Sequence, residues 1–156
     1  MNDKPGVIML PPVIFAVALG ITAGLDWLLP IHFIPLCRDW AWNAWLGLGL
    51  LVSGTGLGLA GIVEFRRART NISPHLPALR LVTSGIYRLT RNPMYLGMLV
   101  LFAGLIVLFG LEPGLIIWPV FALILHHGVV RREEEYLLAK FGQPYRELLE
   151  RSRRWI

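Results

Sequence analysis

The sequence predicts an all-α fold, an integral membrane helical bundle of about four transmembrane helices with a cytoplasmic C-terminal helical tail. Of its 156 residues, 55% are apolar, and the mean hydropathy is +0.59. Four apolar runs approach the roughly 20 residues needed to cross a hydrocarbon core. Arginines concentrate in two of the segments outside these runs. The runs are residues 10–29, 41–63, 93–109 and 114–130, and we treat residues 1–156 as a single membrane domain.

The first run opens with Pro11 and Pro12, carries Asp26 near its end, and is not followed by a small-residue cleavage site. These features differ from those of a secretory signal peptide, so we expect the run to be retained as a span. Gly20 and Gly24 give this span a surface of small residues.

The second run is rich in small residues on two helical faces. Small residues at helical spacing let helix backbones approach closely in a membrane, which predicts tight packing and a central position for this span. One face carries Gly47, Gly54, Gly58 and Gly61, and the other carries Gly49, Ser53, Gly56 and Ala60.

The third and fourth runs are separated only by residues 110–114, GLEPG. So short a connection predicts an antiparallel hairpin, and the fourth run therefore returns to the side on which the third begins. The tail then predicts two short helices, because Gly142 ends an amphipathic stretch that starts near residue 133 and Pro144 is placed to open the next. Residues 153–155, RRW, are expected to anchor the tail at the membrane surface.

The charge distribution predicts the topology. Cytoplasmic segments are enriched in arginine and lysine, so the positive-inside rule places both termini and the long second loop in the cytoplasm, with Arg38 on the far side. We expect the membrane to be a bacterial inner (cytoplasmic) membrane. The cationic residues behind the net charge of +5 flank the membrane spans. Membrane lipid headgroups are therefore the expected partner rather than nucleic acid. The single cysteine, Cys37, excludes an internal disulfide.

Polar and cationic residues gather at the start of the third run, where residues 85–97 read GIYRLTRNPMYLG. Pro93 lacks a backbone donor and suits the first helical position, and Asn92 before it can cap the exposed N–H groups. The hairpin brings the glutamate pair at residues 133–134 to the same end of the bundle as Arg91. These charged groups either pair with one another or hold a polar ligand.

Three ordered blocks of the sequence carry a resemblance to a known superfamily. The first block is residues 81–87, LVTSGIY, and the second is residues 91–97, RNPMYLG. The third block consists of Glu133, Glu134, Leu137, Phe141, Gly142 and Tyr145. In this order they resemble the isoprenylcysteine carboxyl methyltransferase and phospholipid methyltransferase superfamily, over about residues 71–156. The chain departs from the family pattern at Asn92, where eukaryotic members have histidine, and at Leu148, where a second tyrosine is common.

The resemblance implies S-adenosylmethionine as the methyl donor, held by residues 70–97 and 131–156. Carboxylates suit its diol or ammonium, an arginine suits its carboxylate, and tyrosine rings suit its adenine or sulfonium. The implied cofactor-binding residues are Tyr87, Arg91, Asn92, Pro93, Tyr95, Leu96, Gly97, Glu133, Glu134 and Tyr145. The candidate catalytic residues are Arg91, Glu134 and Arg131. Among these, Glu134 is a candidate base and Arg131 a candidate partner for an acceptor carboxylate.

The function that the resemblance implies is methyl transfer to a lipophilic acceptor at the cytoplasmic membrane face. Carboxyl O-methylation of an isoprenylcysteine-like acid is the leading hypothesis, and phospholipid amine N-methylation and thiol S-methylation are alternatives. A non-catalytic membrane scaffold that retains the fold is the alternative from another class. We expect no metal site, because His126 and His127 are better suited to interior hydrogen bonds and His32 is predicted to lie across the bilayer. The sequence does not specify an oligomeric state.

Overall fold

The structure is a computed structural model and describes residues 4–29 and 40–156. Over these ranges it is helical, with no β-strand and one isolated bridge between Thr90 and Arg153, which confirms the all-α prediction. Its helices are α1 (Pro11–Leu28), α2 (Trp40–Arg67), a 3-10 helix (Gly85–Arg88), α3 (Pro93–Phe109), α4 (Gly114–Leu125), a π-helical turn (His126–Val130), α5 (Arg131–Phe141) and α6 (Gln143–Arg151). The predictions for His32, Cys37 and Arg38 fall outside the described residues.

The apolar helices confirm the predicted membrane bundle. Three helices in the described ranges are long and apolar enough to cross a membrane, and α3 is a shorter apolar helix of 17 residues. The bounds of α3 coincide with the predicted third span, since Pro93 opens the helix and Gly110 closes it with a left-handed φ of 64°. The second helix runs to Arg67 and so extends beyond the apolar run, which ends at Val63.

The fourth span and the first tail helix form one continuous helix, Gly114–Phe141, of 28 residues. The sequence predicted two separate elements here. The apolar part of this helix is joined to its polar part by the π-helical turn His126–Val130. This turn is wider than an α-helical turn but does not interrupt the helix. The second tail helix begins where predicted, with Pro144 in its first turn.

Helices α2 and α3 approach each other through glycine. A Cβ atom built on Gly97 would lie 2.6 Å from the carbonyl oxygen of Gly54 and 2.8 Å from the backbone nitrogen of Gly58. A Cβ on Gly47 would lie 2.7 Å from Leu108 Cβ. The predicted packing face of α2 is therefore confirmed at Gly47 and Gly54, where a Cβ would lie 2.7 Å from its nearest atom of α3, whereas a Cβ on Gly58 would meet no atom of another described element within 4 Å.

The central helix of the bundle is α3, which contacts α1, α2 and α4. Its Phe102 packs edge-on against Phe15 of α1 and Phe121 of α4, with ring centroids 5.8 and 5.4 Å apart. The prediction of a central α2 is wrong, because α2 uses only one of its two small-residue faces. On the other face, a Cβ built on Gly49 or Gly56 would have no atom of another described element within 4 Å.

The C-terminal residues fold back onto the loop that precedes α3. The Arg91 N–H donates to Arg153 O at 2.9 Å, and the Arg153 N–H donates to Leu89 O at 3.3 Å. The expectation that residues 153–155 anchor the tail at the membrane surface stays a prediction, and two of these residues also make internal contacts. Arg154 forms an ion pair with Glu134, and the Trp155 side chain packs against the hydrophobic core.

The N-terminal residues meet the same end of the bundle. The Ile8 N–H donates to Gly128 O in the π-helical turn at 3.2 Å, and Arg132 Nη1 donates to Gly6 O at 2.7 Å. One end of the bundle is thus surrounded by residues 4–10, the loop between α2 and α3, and the tail.

Candidate functional site

A cavity lies at this end of the bundle. It is bounded by the loop of residues 71–82, the 3-10 helix, the start of α3, and helices α5 and α6. The space is about 810 Å³, counting the part that opens to solvent. The cavity is therefore partly open to solvent.

Glu134 lies at the centre of an ionic network in the cavity wall. Its Oε1 accepts from Arg91 Nε at 3.3 Å, and its Oε2 accepts from Arg154 Nη2 at 2.6 Å. Arg91 Nη1 also donates to the carbonyl oxygens of Leu149 and Ser152. The side chains of Arg91 and Glu134 are only 10% and 12% exposed, so each charge needs the partners that it has.

The neighbouring carboxylate, Glu133, has a different environment. Its Oε1 accepts a hydrogen bond of 2.7 Å from the hydroxyl of Tyr95, which comes from the first turn of α3. Both residues line the cavity. The adjacent glutamates thus differ in role, since one is held by two arginines and the other by a phenol.

Tyr87 is held in the 3-10 helix and is 5% exposed. Its hydroxyl has no hydrogen-bond partner among the described residues, although the side chain lines the cavity. Burial, with the nearby Glu133 carboxylate, raises the pKa of the Tyr87 hydroxyl well above its usual range. At physiological pH the group is therefore a neutral donor, and an unpaired buried donor costs free energy unless a ligand satisfies it.

Tyr145 enters the cavity from the first turn of α6 and is 2% exposed. Burial and the Glu134 carboxylate raise the pKa of its phenol above the usual range. Its ring therefore offers the cavity a neutral aromatic surface.

Asn92 occupies the N-cap position of α3, as predicted, but its side chain does not cap the helix. Its Nδ2 donates instead to the carbonyl oxygen of Arg154 at 3.0 Å, and its backbone N–H donates to Thr90 Oγ1 at 3.2 Å. The amide thus fixes the C-terminal residues against the cavity wall.

The loop of residues 71–82 covers one side of the cavity and is held by specific contacts. The hydroxyl of Tyr136 accepts from the Ala78 N–H at 3.1 Å, which ties the loop to α5. Thr70 Oγ1 accepts from the N–H groups of Leu79 and Arg80 at 3.0 and 3.2 Å. The loop therefore has a defined position beside the polar residues of the cavity wall.

Most of the residues predicted for the site are brought together. Those that line the cavity are Tyr87, Arg91, Asn92, Tyr95, Glu133, Glu134 and Tyr145. Four others lie outside the lining. Pro93 is fully buried at the start of α3, Gly97 packs against α2, Leu96 is half-buried further along α3, and Arg131 is exposed.

Among the residues that sequence reasoning missed are Tyr136, which lines the cavity, and Arg154, which lies outside the lining but holds Glu134. Tyr136 follows Glu133 by three residues, on the same side of α5, so a helical projection could have found it. Arg154 reaches Glu134 through the return of the C-terminal segment, a tertiary contact for which the local sequence carries no signal.

Apolar side chains complete the cavity wall and include Phe65, Leu81, Val82, Met94, Leu137 and Leu148. They suit a flat aromatic group or a lipid chain. In the part of the chain that the structure describes, no three His, Cys, Asp or Glu side chains are grouped to hold a metal ion.

Comparison with known proteins gives two matches. A sequence profile of the phospholipid methyltransferase family matches residues 42–144, which include every polar residue of the cavity wall from Tyr87 to Glu134. The chain is also similar to Protein-S-isoprenylcysteine O-methyltransferase B of Arabidopsis thaliana, with 28% identity over 148 residues that cover 88% of this chain and 70% of the plant protein. No solved structure matches the chain.

Proposed function

The chain belongs to the phospholipid methyltransferase family, and we propose that its cavity binds S-adenosylmethionine and serves methyl transfer to a lipophilic acceptor. A membrane methyltransferase follows from the family and from the apolar helices. The observation that carries the more specific proposal is the buried hydroxyl of Tyr87, which has no partner among the described residues although the residue lines the cavity.

The cavity wall suits this cofactor in its chemistry. Glu133 can accept from a diol or an ammonium group, Tyr87 can donate to an acceptor atom, and Tyr145 offers a neutral ring. S-adenosylmethionine, when bound, supplies an electrophilic methyl group on a cationic sulfur. Arg91 is predicted to meet a carboxylate, although it is also engaged with Glu134 and with two backbone carbonyl groups. The arginine therefore has to share its donors with the ligand.

The task of the protein in a methyl transfer is to align the reacting groups and to exclude water. The loop of residues 71–82 closes one side of the cavity, and Tyr136 holds that loop in place. The Arg91, Glu134 and Arg154 network fixes the opposite wall. These elements provide a preformed and partly enclosed reaction space.

We propose carboxyl O-methylation of an isoprenylcysteine-like acid as the leading reaction. The similar Arabidopsis protein is named for O-methylation of isoprenylcysteine, and a carboxylate needs no base to react. Arg131 was predicted to meet the acceptor carboxylate but lies outside the cavity lining, whereas the exposed Arg80 is part of it. Arg80 is therefore the better placed cation for an acidic acceptor.

Amine N-methylation is the second candidate, and one observation favours it. An ammonium acceptor must lose a proton before it can react, and the half-buried Glu133 carboxylate lines the cavity, with its Oε1 2.7 Å from the Tyr95 hydroxyl. Glu133 is thus positioned to accept such a proton. The predicted base, Glu134, is less available because two arginines hold it.

Two measurements test the proposed function. Calorimetry of the purified protein in detergent should show S-adenosylmethionine binding, and a protein without affinity for the cofactor would be the scaffold instead. A panel of acids, amines and thiols that share one lipid tail, incubated with methyl-labelled cofactor, should label the acid most strongly. Labelling of only the amine would replace the leading reaction with the second candidate.

We further propose that both termini are cytoplasmic. Residues 4–10 and the tail meet at the same end of the bundle as the arginine-rich loop, as an even number of spans requires. The positive-inside rule then assigns this end to the cytoplasm.

A further inference from the structure

The last turn of α2 carries a buried carboxylate that lies outside the cavity. Glu64 is 7% exposed, and its Oε2 accepts a hydrogen bond from the hydroxyl of Ser84, in the loop before α3. Its Oε1 accepts from Arg67 Nη1 at 2.8 Å. A charged group at the end of an apolar helix needs such partners, and one of them belongs to the segment that holds Tyr87.

The contact between Glu64 and this segment is close. A Cβ atom built on Gly85 would lie 2.6 Å from Glu64 Cδ, and Gly85 has a φ of 56°, in the left-handed region that favours glycine. The segment therefore passes close to the carboxylate, and the positive φ favours glycine at this point.

The same segment fixes Tyr87 in two ways. The Tyr87 N–H donates to Ser84 O at 3.1 Å, so the residue bound by Glu64 is also the backbone partner of Tyr87. The Tyr87 ring packs against Phe65, which follows Glu64 on α2, with ring centroids 5.5 Å apart. Two consecutive residues of α2 thus hold the backbone and the ring of Tyr87.

We infer that Glu64 is a positioning residue that sets the Tyr87 hydroxyl for contact with the ligand. This inference rests on the proposed function, since Tyr87 is taken to donate to S-adenosylmethionine. Glu64 does not line the cavity, so its effect on the ligand has to pass through Ser84 and Tyr87. Loss of the Glu64 carboxylate releases the turn at Ser84. The Tyr87 phenol can then leave the position in which it contacts the ligand.

A double-mutant cycle tests the inference. Cofactor affinity is measured by calorimetry for the full-length protein in detergent, for the variants Glu64→Ala, Tyr87→Phe and their combination. Each single variant should weaken binding roughly threefold to tenfold, as expected for one neutral hydrogen bond. The double variant should bind no more weakly than Tyr87→Phe alone, because residues that act through one contact are not additive.

Further variants separate positioning from general stability. Glu64→Gln keeps an oxygen acceptor for Ser84 and should restore affinity to near the wild-type value. Ser84→Ala removes the same hydrogen bond from an exposed residue, so it should reproduce the effect of Glu64→Ala even where that variant fails to fold. Glu150→Ala, at an exposed glutamate on α6, is the control and should leave affinity unchanged.

The outcomes are distinguishable. A wild-type protein that does not bind S-adenosylmethionine refutes the proposed function and the inference with it. If the wild-type protein binds S-adenosylmethionine and the Glu64→Ala and Ser84→Ala variants bind it equally tightly, the inference is overturned. The proposed function then still stands. Additive losses in the double variant, or a Tyr87→Phe variant without effect, also overturn the inference, because Glu64 would then not act through Tyr87.

Discussion

Arg154 and the cavity-lining Glu134 form a two-point ion pair, in which Nε lies 3.0 Å and Nη2 lies 2.6 Å from the same carboxylate oxygen, Oε2. The Nε also lies 3.1 Å from Oε1. This hydrogen bonding raises the pKa of the Arg154 guanidinium above its usual value. The C-terminal segment is therefore part of the site, because it supplies one of the two cations that hold this glutamate.

We predict that Arg91→Ala and Glu134→Ala each weaken S-adenosylmethionine binding by at least about tenfold. Loss of one charge-assisted contact costs about 1.5 to 3 kcal/mol, and either change leaves a buried charge with fewer partners. The dissociation constants would be measured by calorimetry in detergent, after size-exclusion chromatography has shown that the variants are folded.

The matched control is Arg153→Ala. Arg153 is exposed, and its contacts with the loop before α3 are made by its backbone, which alanine retains. It should bind the cofactor as tightly as the wild type. Folded Arg91→Ala and Glu134→Ala variants with wild-type affinity would show that these residues do not belong to the cofactor site.

We predict that Gly97→Ala destabilises the bundle by about 1 to 3 kcal/mol, the usual cost of adding an atom to a tightly packed interface. The added Cβ would lie 2.6 Å from the Gly54 carbonyl oxygen, and backbone atoms cannot move aside cheaply. The measurement is the thermal unfolding midpoint of the purified protein in detergent.

Gly56→Ala on the opposite face of α2 is the control for this prediction, because residues 4–29 and 40–156 place no atom of another element within 4 Å of its Cβ position. It should leave stability unchanged or raise it slightly, since alanine is the better helix former. Equal midpoints for the two variants would contradict the close approach of α2 and α3.

The start and end of α3 were predictable because they depend on local sequence. The apolar run that begins at Pro93 and ends before Gly110 defined α3 without error, since proline and glycine mark both boundaries. The end of α2 was placed too early, because Glu64, Arg66 and Arg67 lower the hydropathy without interrupting the helix. Hydropathy detects the part of a helix that lies in lipid, whereas backbone hydrogen bonding decides where the helix ends.

The arrangement of the site was only partly predictable. The hairpin between α3 and α4 correctly brought Arg91 near Glu134, because a short connection leaves little freedom. The return of Arg154 and the loop over the cavity depend on contacts between residues far apart in the chain. Such contacts follow from three-dimensional packing and leave no periodic pattern in the sequence.

We predict that both termini and the loop between α2 and α3 face the cytoplasm. His75→Cys and Glu150→Cys, at two exposed positions, should resist an impermeant thiol reagent in intact cells, on a background in which Cys37 is replaced by serine. Arg38→Cys should react from outside. All three should react after permeabilisation, which is the control for accessibility. Strong outside labelling of His75→Cys would reverse the topology.

We predict, lastly, that methylation efficiency rises with the length of the acceptor's apolar tail. The cavity combines polar residues with apolar side chains such as Phe65 and Met94 and lies at the mouth of membrane helices, so a lipophilic acceptor can enter from the inner leaflet with its tail in hydrocarbon. Each buried methylene contributes about 0.8 kcal/mol, or roughly fourfold in kcat/KM, until the groove is filled. Acceptors with one head group and graded tails would be compared at fixed detergent concentration, with cofactor binding measured in parallel as the control that should not change. Equal efficiency for tailless and long-tailed acceptors would exclude lateral entry, because a tail that is never buried cannot lower the free energy of the transition state.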